Sequence, residues 1–157
     1  MRCVDVNVLV YAHRPESDRH AEYLKWVEVA RDGDEPLGIS DLVLSGFIRI
    51  VTHPKIFVDP TPSAEAFQFA DLIRTSPSVV PLAPGPRHWD IFRRLSTAIA
   101  ARGNVVPDAF LGAIAIEAGA TWYTADRGFT RFPGLNVAHP LDDEIPGATR
   151  AGLPPSA

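Results

Sequence analysis

Short runs of apolar, β-branched residues alternate along the chain with longer stretches whose apolar positions recur at helical spacing. The opening run, from Cys3 to Tyr11, predicts a buried strand over its first half and a short helix from Asn7 onward. A second helix is expected from Ser17 to a C-terminal cap at Gly33, with Tyr23, Leu24, Val27 and Ala30 on its apolar face. Pro36 to Ser40 reads as a short strand. Ser40 is then placed to cap a largely buried helix carrying Leu42, Val43, Phe47, Ile50 and Val51. The segment from His53 to Pro62 is punctuated by prolines and predicts a loop, and Ser63 starts a further helix.

The second half repeats this alternation. Ser78 to Ala83 predicts a strand, followed by an amphipathic helix with Trp89, Phe92, Leu95 and Ile99 on one face, stopped at Gly103. Pro107 precedes a helix that Asp108 opens and Gly119 closes, and Thr121 to Thr124 and Asn136 to Pro140 read as the last two strands. From Asp142 the chain is rich in Pro, Gly and Ala and lacks apolar periodicity. Residues 1–141 are therefore expected to form one domain and 142–157 a flexible tail. Strands alternating with helices predict an α/β fold, a mainly parallel central sheet covered on both faces. In such folds the ligand crevice lies beyond the carboxyl ends of the strands.

Composition narrows the function classes. At 157 residues, 46% hydrophobic and 22% charged, the chain suits one compact core and excludes a disordered polymer. A net charge of −4 argues against a broadly basic nucleic-acid binder but leaves room for a local patch. Only Lys25 and Lys55 are lysines, so arginine, the better fork for phosphate, supplies most of the positive charge. The single cysteine, Cys3, reads as a small core residue in a reducing cytoplasm. Asp5 and Asn7 interrupt any signal-peptide pattern, and no run approaches the ~20 apolar residues of a membrane helix. The five histidines show no zinc-ligand spacing.

Three aspartates stand out, each beside an apolar run: Asp5, Asp108 and Asp126. A carboxylate at the mouth of a buried element costs free energy unless a cation or hydrogen bonds satisfy it. Three such groups converging on one crevice would suit a hard divalent cation and hydrolysis of a phosphodiester. Each also has a structural use: Asp5 as a strand-end acceptor, Asp108 at a helix start, Asp126 in a turn before Gly128. Residue chemistry leaves both readings open. Asn7 and Thr124 flank the aspartates and either orient them or satisfy local backbone. Arg49, Arg127 and Arg131 are phosphate candidates or solvated surface charges.

The order of these segments resembles the PIN-domain ribonucleases, and within them the VapC-type toxins. The resemblance rests on Asp5-Val6-Asn7 after the first strand and on Asp108-Ala109-Phe110-Leu111-Gly112-Ala113 opening a helix. It also rests on Thr124-Ala125-Asp126 with Phe129, and it spans roughly residues 1–140. It implies a PIN-like three-layer sandwich and a Mg²⁺-dependent (or Mn²⁺-dependent) endoribonuclease. Asp5, Asp108 and Asp126 would be both the metal ligands and the catalytic residues. It further implies a cognate VapB-type antitoxin, structured RNA such as tRNA or rRNA as substrate, and a homodimer. One departure stands in Ser40-Asp41-Leu42-Val43-Leu44-Ser45-Gly46: Gly46 occupies the position where the family usually carries a Glu. A mid-helix Gly costs about 1 kcal/mol relative to Ala, which implies close packing there. The lost carboxylate points to one weakly held metal rather than two, with Asp41 and Glu117 as poor replacements. Two rival classes follow: a PIN scaffold that binds RNA or protein without cutting, and a haloacid-dehalogenase-like phosphatase. The second ranks last, because Asp5-Val6-Asn7 lacks the second aspartate and no late lysine exists.

Overall fold

The computed structural model describes residues 1–142, so the expected tail lies outside the described residues apart from Asp142. Five strands, β1 (Arg2–Val4), β2 (Leu37–Ser40), β3 (Val79–Leu82), β4 (Thr121–Tyr123) and β5 (Asn136–Ala138), form one sheet in the order β3-β2-β1-β4-β5. Every neighbouring pair is parallel. Pro81, which cannot donate to the ladder, sits in the edge strand β3. Six helices connect the strands: α1 (Val6–His13), α2 (His20–Asp32), α3 (Asp41–Val51), α4 (Ser63–Arg74), α5 (His88–Ala98) and α6 (Val105–Glu117). The chain runs outward from β1 through β2 to β3, then crosses back to β4 on the other side of β1. Right-handed crossovers therefore put α1–α4 on one face and α5 and α6 on the other. The packing pairs α1 with α2, α1 with α3, α3 with α4, and α5 with α6 agree with this three-layer arrangement.

The core is built from the apolar runs read in the sequence. Val4, Leu9, Leu37, Val43, Phe47, Ile73 and Leu95 are almost completely buried. Cys3 is buried among them, and desolvation pushes its thiol up to about 12, leaving it inert.

Local caps set most element ends. Asp5 caps α1 by accepting from the Val6 amide (2.7 Å), and Ser40 caps α3 through the Leu42 amide (3.3 Å). Gly119, at φ +64°, ends α6 in the left-handed conformation that glycine adopts without penalty.

Some expectations are corrected. The second helix starts at His20 rather than Ser17, because Arg19 takes a left-handed conformation (φ 55°) that no helix can pass through. Gly33 follows that helix in an extended conformation, so it does not act as a left-handed cap. The helix α5 ends at Ala98 and the chain turns at Ala100 (φ 49°), short of Gly103. Pro107 lies inside the first turn of α6 rather than before it, where its missing amide hydrogen costs nothing. Trp89, expected on the buried face of α5, is 65% exposed; His88, Ile91 and Leu95 form that face instead.

Candidate active site

The reversal in strand order falls between β1 and β4, the place where an open parallel sheet leaves a crevice at its carboxyl edge. Asp5 leaves β1 there, and Thr124, Ala125 and Asp126 leave β4. Asp108 reaches the same region from the first turn of α6. A cleft of about 590 Å³ opens here, lined by Asp5 and Val6 of the β1–α1 junction, by α3, by Phe92 of α5, and by the start of α6 including Asp108.

Asp5 is 6% exposed and heavily hydrogen-bonded. Its Oδ1 accepts from the Val6 amide, and its Oδ2 accepts from Asn7 Nδ2 (2.8 Å) and Thr124 Oγ1 (2.6 Å). A carboxylate offers roughly four lone-pair positions, so one, on Oδ1, is left for a further ligand. Thr124 also accepts from the Asp126 amide (2.9 Å) and from Asn7 Nδ2 (3.1 Å), and Asn7 Oδ1 accepts from the Ala125 amide (3.2 Å). Asn7 and Thr124 thus tie the ends of β1 and β4 together and fix the Asp5 carboxyl between them. Both residues hydrogen-bond to Asp5 and to the backbone at the end of β4.

The electrostatics oppose these bonds. Burial raises the Asp5 pKa to about 6, and the charges of Asp108 and Asp126 push it the same way, against the bonds from Thr124 and Val6. Asp108, half-buried, is raised by burial and then by Asp126, with Arg131 opposing. Asp126 stands exposed at the rim rather than in the cleft, and its Oδ1 accepts from the Gly128 amide (2.7 Å), capping a short 3-10 helix, Arg127–Arg131. It therefore has the turn role that its sequence context suggested, together with a charge felt by both other acids.

Among the described residues no three His, Cys, Asp or Glu side chains close around a single point that could hold a bare ion. The donor set fits a different occupant: a hydrated hard cation held by one or two carboxylates, with water and substrate oxygens completing its shell. Asp5 and Asp108, both raised by burial and by neighbouring carboxylates, the first of them with a spare lone pair, are what such a charge would relieve.

The other candidates fall elsewhere. Asp41 pairs with Arg74 (3.0 Å) at the surface, away from the cleft. Glu117 accepts from the Gly85 and Arg87 amides (both 2.8 Å) and fixes the loop before α5. Arg131 donates to the Gly128 carbonyl, whereas Arg49 lines the cleft. Gly46 also lines it, and a Cβ there would stand 3.0 Å from Val6 Cγ2, so glycine lets α3 approach the start of α1. The sequence did not reveal that Leu42, Ile50, Phe92 and Phe110 build an apolar wall of the same cleft. Leu42 was read as core, yet it is 49% exposed. Its signal, an apolar residue at the start of a helix beside an acid-bearing strand end, is indistinguishable in sequence from ordinary core.

Comparison with known proteins agrees with this geometry. The PIN domain family model matches residues 2–135. Ribonuclease VapC43 of Mycobacterium tuberculosis is 49% identical over 144 residues, 92% of this chain and 98% of that protein. Ribonuclease VapC25 of the same organism is 37% identical over 140 residues, 89% and 99% of the two chains. Among solved structures, VapBC2 from Rickettsia felis bound to a promoter DNA fragment matches with a TM-score of 0.64 at 20% identity, covering 88% of this chain and 97% of that one. VapC20 of Mycobacterium tuberculosis, a toxin cleaving the sarcin-ricin loop, matches at TM-score 0.59 and 15% identity, covering 87% and 99%; at these identities the likeness is one of fold. PIN ribonucleases are in general metal-dependent. The chain belongs to the PIN-domain family and, within it, to the VapC type.

Proposed function

We propose that this VapC-type ribonuclease is the toxin of a toxin–antitoxin pair and hydrolyses phosphodiester bonds of structured RNA, of the tRNA or rRNA class, in the cytoplasm. Asp5, Asp108 and Asp126 would hold the Mg²⁺, or Mn²⁺, that the reaction requires, Asp126 from the rim through water. The observation carrying this reading is that Asp5 and Asp108 line one cleft at the strand-order reversal, with Asp126 at its rim, and that neighbouring carboxylates add to burial in raising the pKa of Asp5 and of Asp108. When bound, a divalent cation polarises the phosphodiester and lowers the pKa of water. The chain's own residues prepare that state. Thr124 and Asn7 donate to Asp5 Oδ2 and so leave Oδ1 as the oxygen with a free lone pair. Asp108, half-buried on the rigid first turn of α6, faces the same cleft from the opposite layer. Asp126 adds charge from the rim without losing its hydration.

A VapB-type antitoxin that covers the cleft, and assembly as a homodimer, belong to the same reading. The VapBC2 structure of Rickettsia felis supports the antitoxin partner. Expression of the wild type under tight control should arrest growth and yield discrete RNA fragments, and Asp5→Asn or Asp108→Asn should abolish both. Arrest retained in both variants would sink the metal-nuclease reading. Gly46 favours a second reading, a PIN scaffold that binds without cutting. RNA left intact after long incubation with Mg²⁺ or Mn²⁺, with measurable binding, would favour it.

A further inference from the structure

We propose that the wall of the cleft facing the aspartates is a nucleotide subsite. Arg49 takes a backbone phosphate of single-stranded RNA, and the apolar surface of Leu42, Ile50, Phe92 and Phe110 takes the unstacked base beside it. The inference rests on the ribonuclease reading above and adds how that substrate is held.

Arg49 projects from α3 one turn after Gly46 and lines the cleft with Asp5 and Asp108. Arg14, Arg31, Arg74 and Arg87 are each tied to a carboxylate or a carbonyl. Arg49 makes no hydrogen bond or ion pair with any described residue. Gly46 explains why. A Glu at that position would stand three residues before Arg49 on the same helix face, where opposite charges pair. With glycine there, the guanidinium is left free, and its planar fork matches two phosphate oxygens.

The apolar wall is rigid from behind. The rings of Phe92 and Phe110 lie 5.3 Å apart in an edge-on arrangement, and buried His88 packs on Phe110 at 4.3 Å. His88 Nε2 also lies 2.9 Å from the Phe110 carbonyl oxygen. Leu42 and Ile50 face this pair across a space of about 590 Å³, within the size of sites that bury a small planar ligand. One unpaired cation set in apolar and aromatic surface matches the alternation of phosphate and base along a single strand. The wall shares one cleft with Asp5 and Asp108, so it adjoins the point at which the strand would be cleaved.

The test is fluorescence anisotropy of a labelled single-stranded RNA octamer bound to the full chain carrying Asp108→Asn, at several salt concentrations. Adding Arg49→Ala should weaken binding about tenfold and flatten the slope of log K against log salt by about 0.7, the loss of one phosphate contact on a single strand. Adding Leu42→Asn or Phe92→Leu should weaken binding severalfold and leave the salt slope unchanged, because a base contact releases no counterions. Unchanged affinity in all three overturns the subsite. So does a Leu42→Asn variant that changes sedimentation mass but not RNA affinity, which would make the wall a protein interface. Cleavage of total RNA by the wild type, run in parallel, separates the two claims. Cleavage with unaltered variant binding refutes the subsite alone, whereas no cleavage refutes the nuclease reading on which it stands.

Discussion

Replacing Gly46 with alanine tests whether the missing acid position is closed by packing. The added Cβ would stand 3.0 Å from Val6 Cγ2, and the next contacts, at 3.7 and 4.0 Å, are also atoms of Val6. Alanine in the middle of α3 gains about 1 kcal/mol of helix propensity over glycine. Forcing a methyl group into a filled space costs about 1–3 kcal/mol. Gly46→Ala alone should therefore be neutral to destabilising by about 2 kcal/mol. In a Val6→Ala background both Cγ atoms are gone and only a Cβ at 4.0 Å remains, an ordinary contact. There the same substitution should stabilise by about 1 kcal/mol. The cycle of four proteins should thus show a favourable coupling of about 1–3 kcal/mol, read by urea denaturation and as about 2–4 °C of Tm per kcal/mol for a chain of this size. Additivity within about 0.5 kcal/mol would refute the reasoning, since it would mean that the side of α3 bearing Gly46 is not held against Val6. If the coupling appears, Gly46→Glu with Val6→Ala is the variant expected to restore an acid to the cleft and raise cleavage.

The pH dependence of stability follows from Asp5. Its pKa is raised from 3.8 to about 6 in the fold, so the folded state binds the proton more tightly than the unfolded chain between those values. Stability from this group is complete below pH ~4 and falls by about 3 kcal/mol as pH rises to 6 and beyond. Comparing wild type with Asp5→Asn at pH 4.5 and 7.5 should reveal this slope in the wild type alone; equal slopes would contradict the burial argument. Mg²⁺ should raise Tm at pH 7.5, by about 2.7 kcal/mol in stability at a hundredfold excess over its Kd. It should do little at pH 4.5 or in Asp5→Asn, and an equal rise in every case would indicate non-specific binding. Thr124→Val keeps shape but removes the buried hydroxyl between Asp5, Asn7 and Asp126. It should cost about 1–3 kcal/mol and push the Asp5 titration higher, both measurable by denaturation across pH. Glu117→Ala should lower Tm by freeing the loop before α5, yet leave RNA cleavage unchanged; lost cleavage would place Glu117 in the site after all.

Much of the architecture was legible because apolar periodicity is a local signal. The order of strands and helices, the cap at Ser40 and the stop at Gly119 all follow from neighbours in sequence, whereas Asp5, read as a strand-end acceptor, also caps α1. That Asp5 and Asp108 reach one cleft with Asp126 at its rim was one of two readings that residue chemistry left open and the one the family pattern favoured, since it depends on β4 pairing beside β1. What the sequence hid depends on which layer covers which face. Trp89 has the spacing of a core residue, but α5 turns His88, Ile91 and Leu95 inward instead. The apolar wall of the cleft joins α3, α5 and α6, which are far apart in sequence, so Leu42 and Phe92 could not be distinguished from core. In the sequence Gly46 shows only as a lost carboxylate. Its physical partners, the close approach to Val6 and the unpaired Arg49, emerge only in three dimensions.

Metal-dependent RNA cleavage by these aspartates is tested most directly with purified protein. Total RNA should be incubated with the wild type and with Asp108→Asn, each with Mg²⁺ and with chelator. Discrete fragments from the wild type with Mg²⁺ alone are the predicted result. Equal cleavage by Asp108→Asn, or cleavage that survives chelation, would contradict the account.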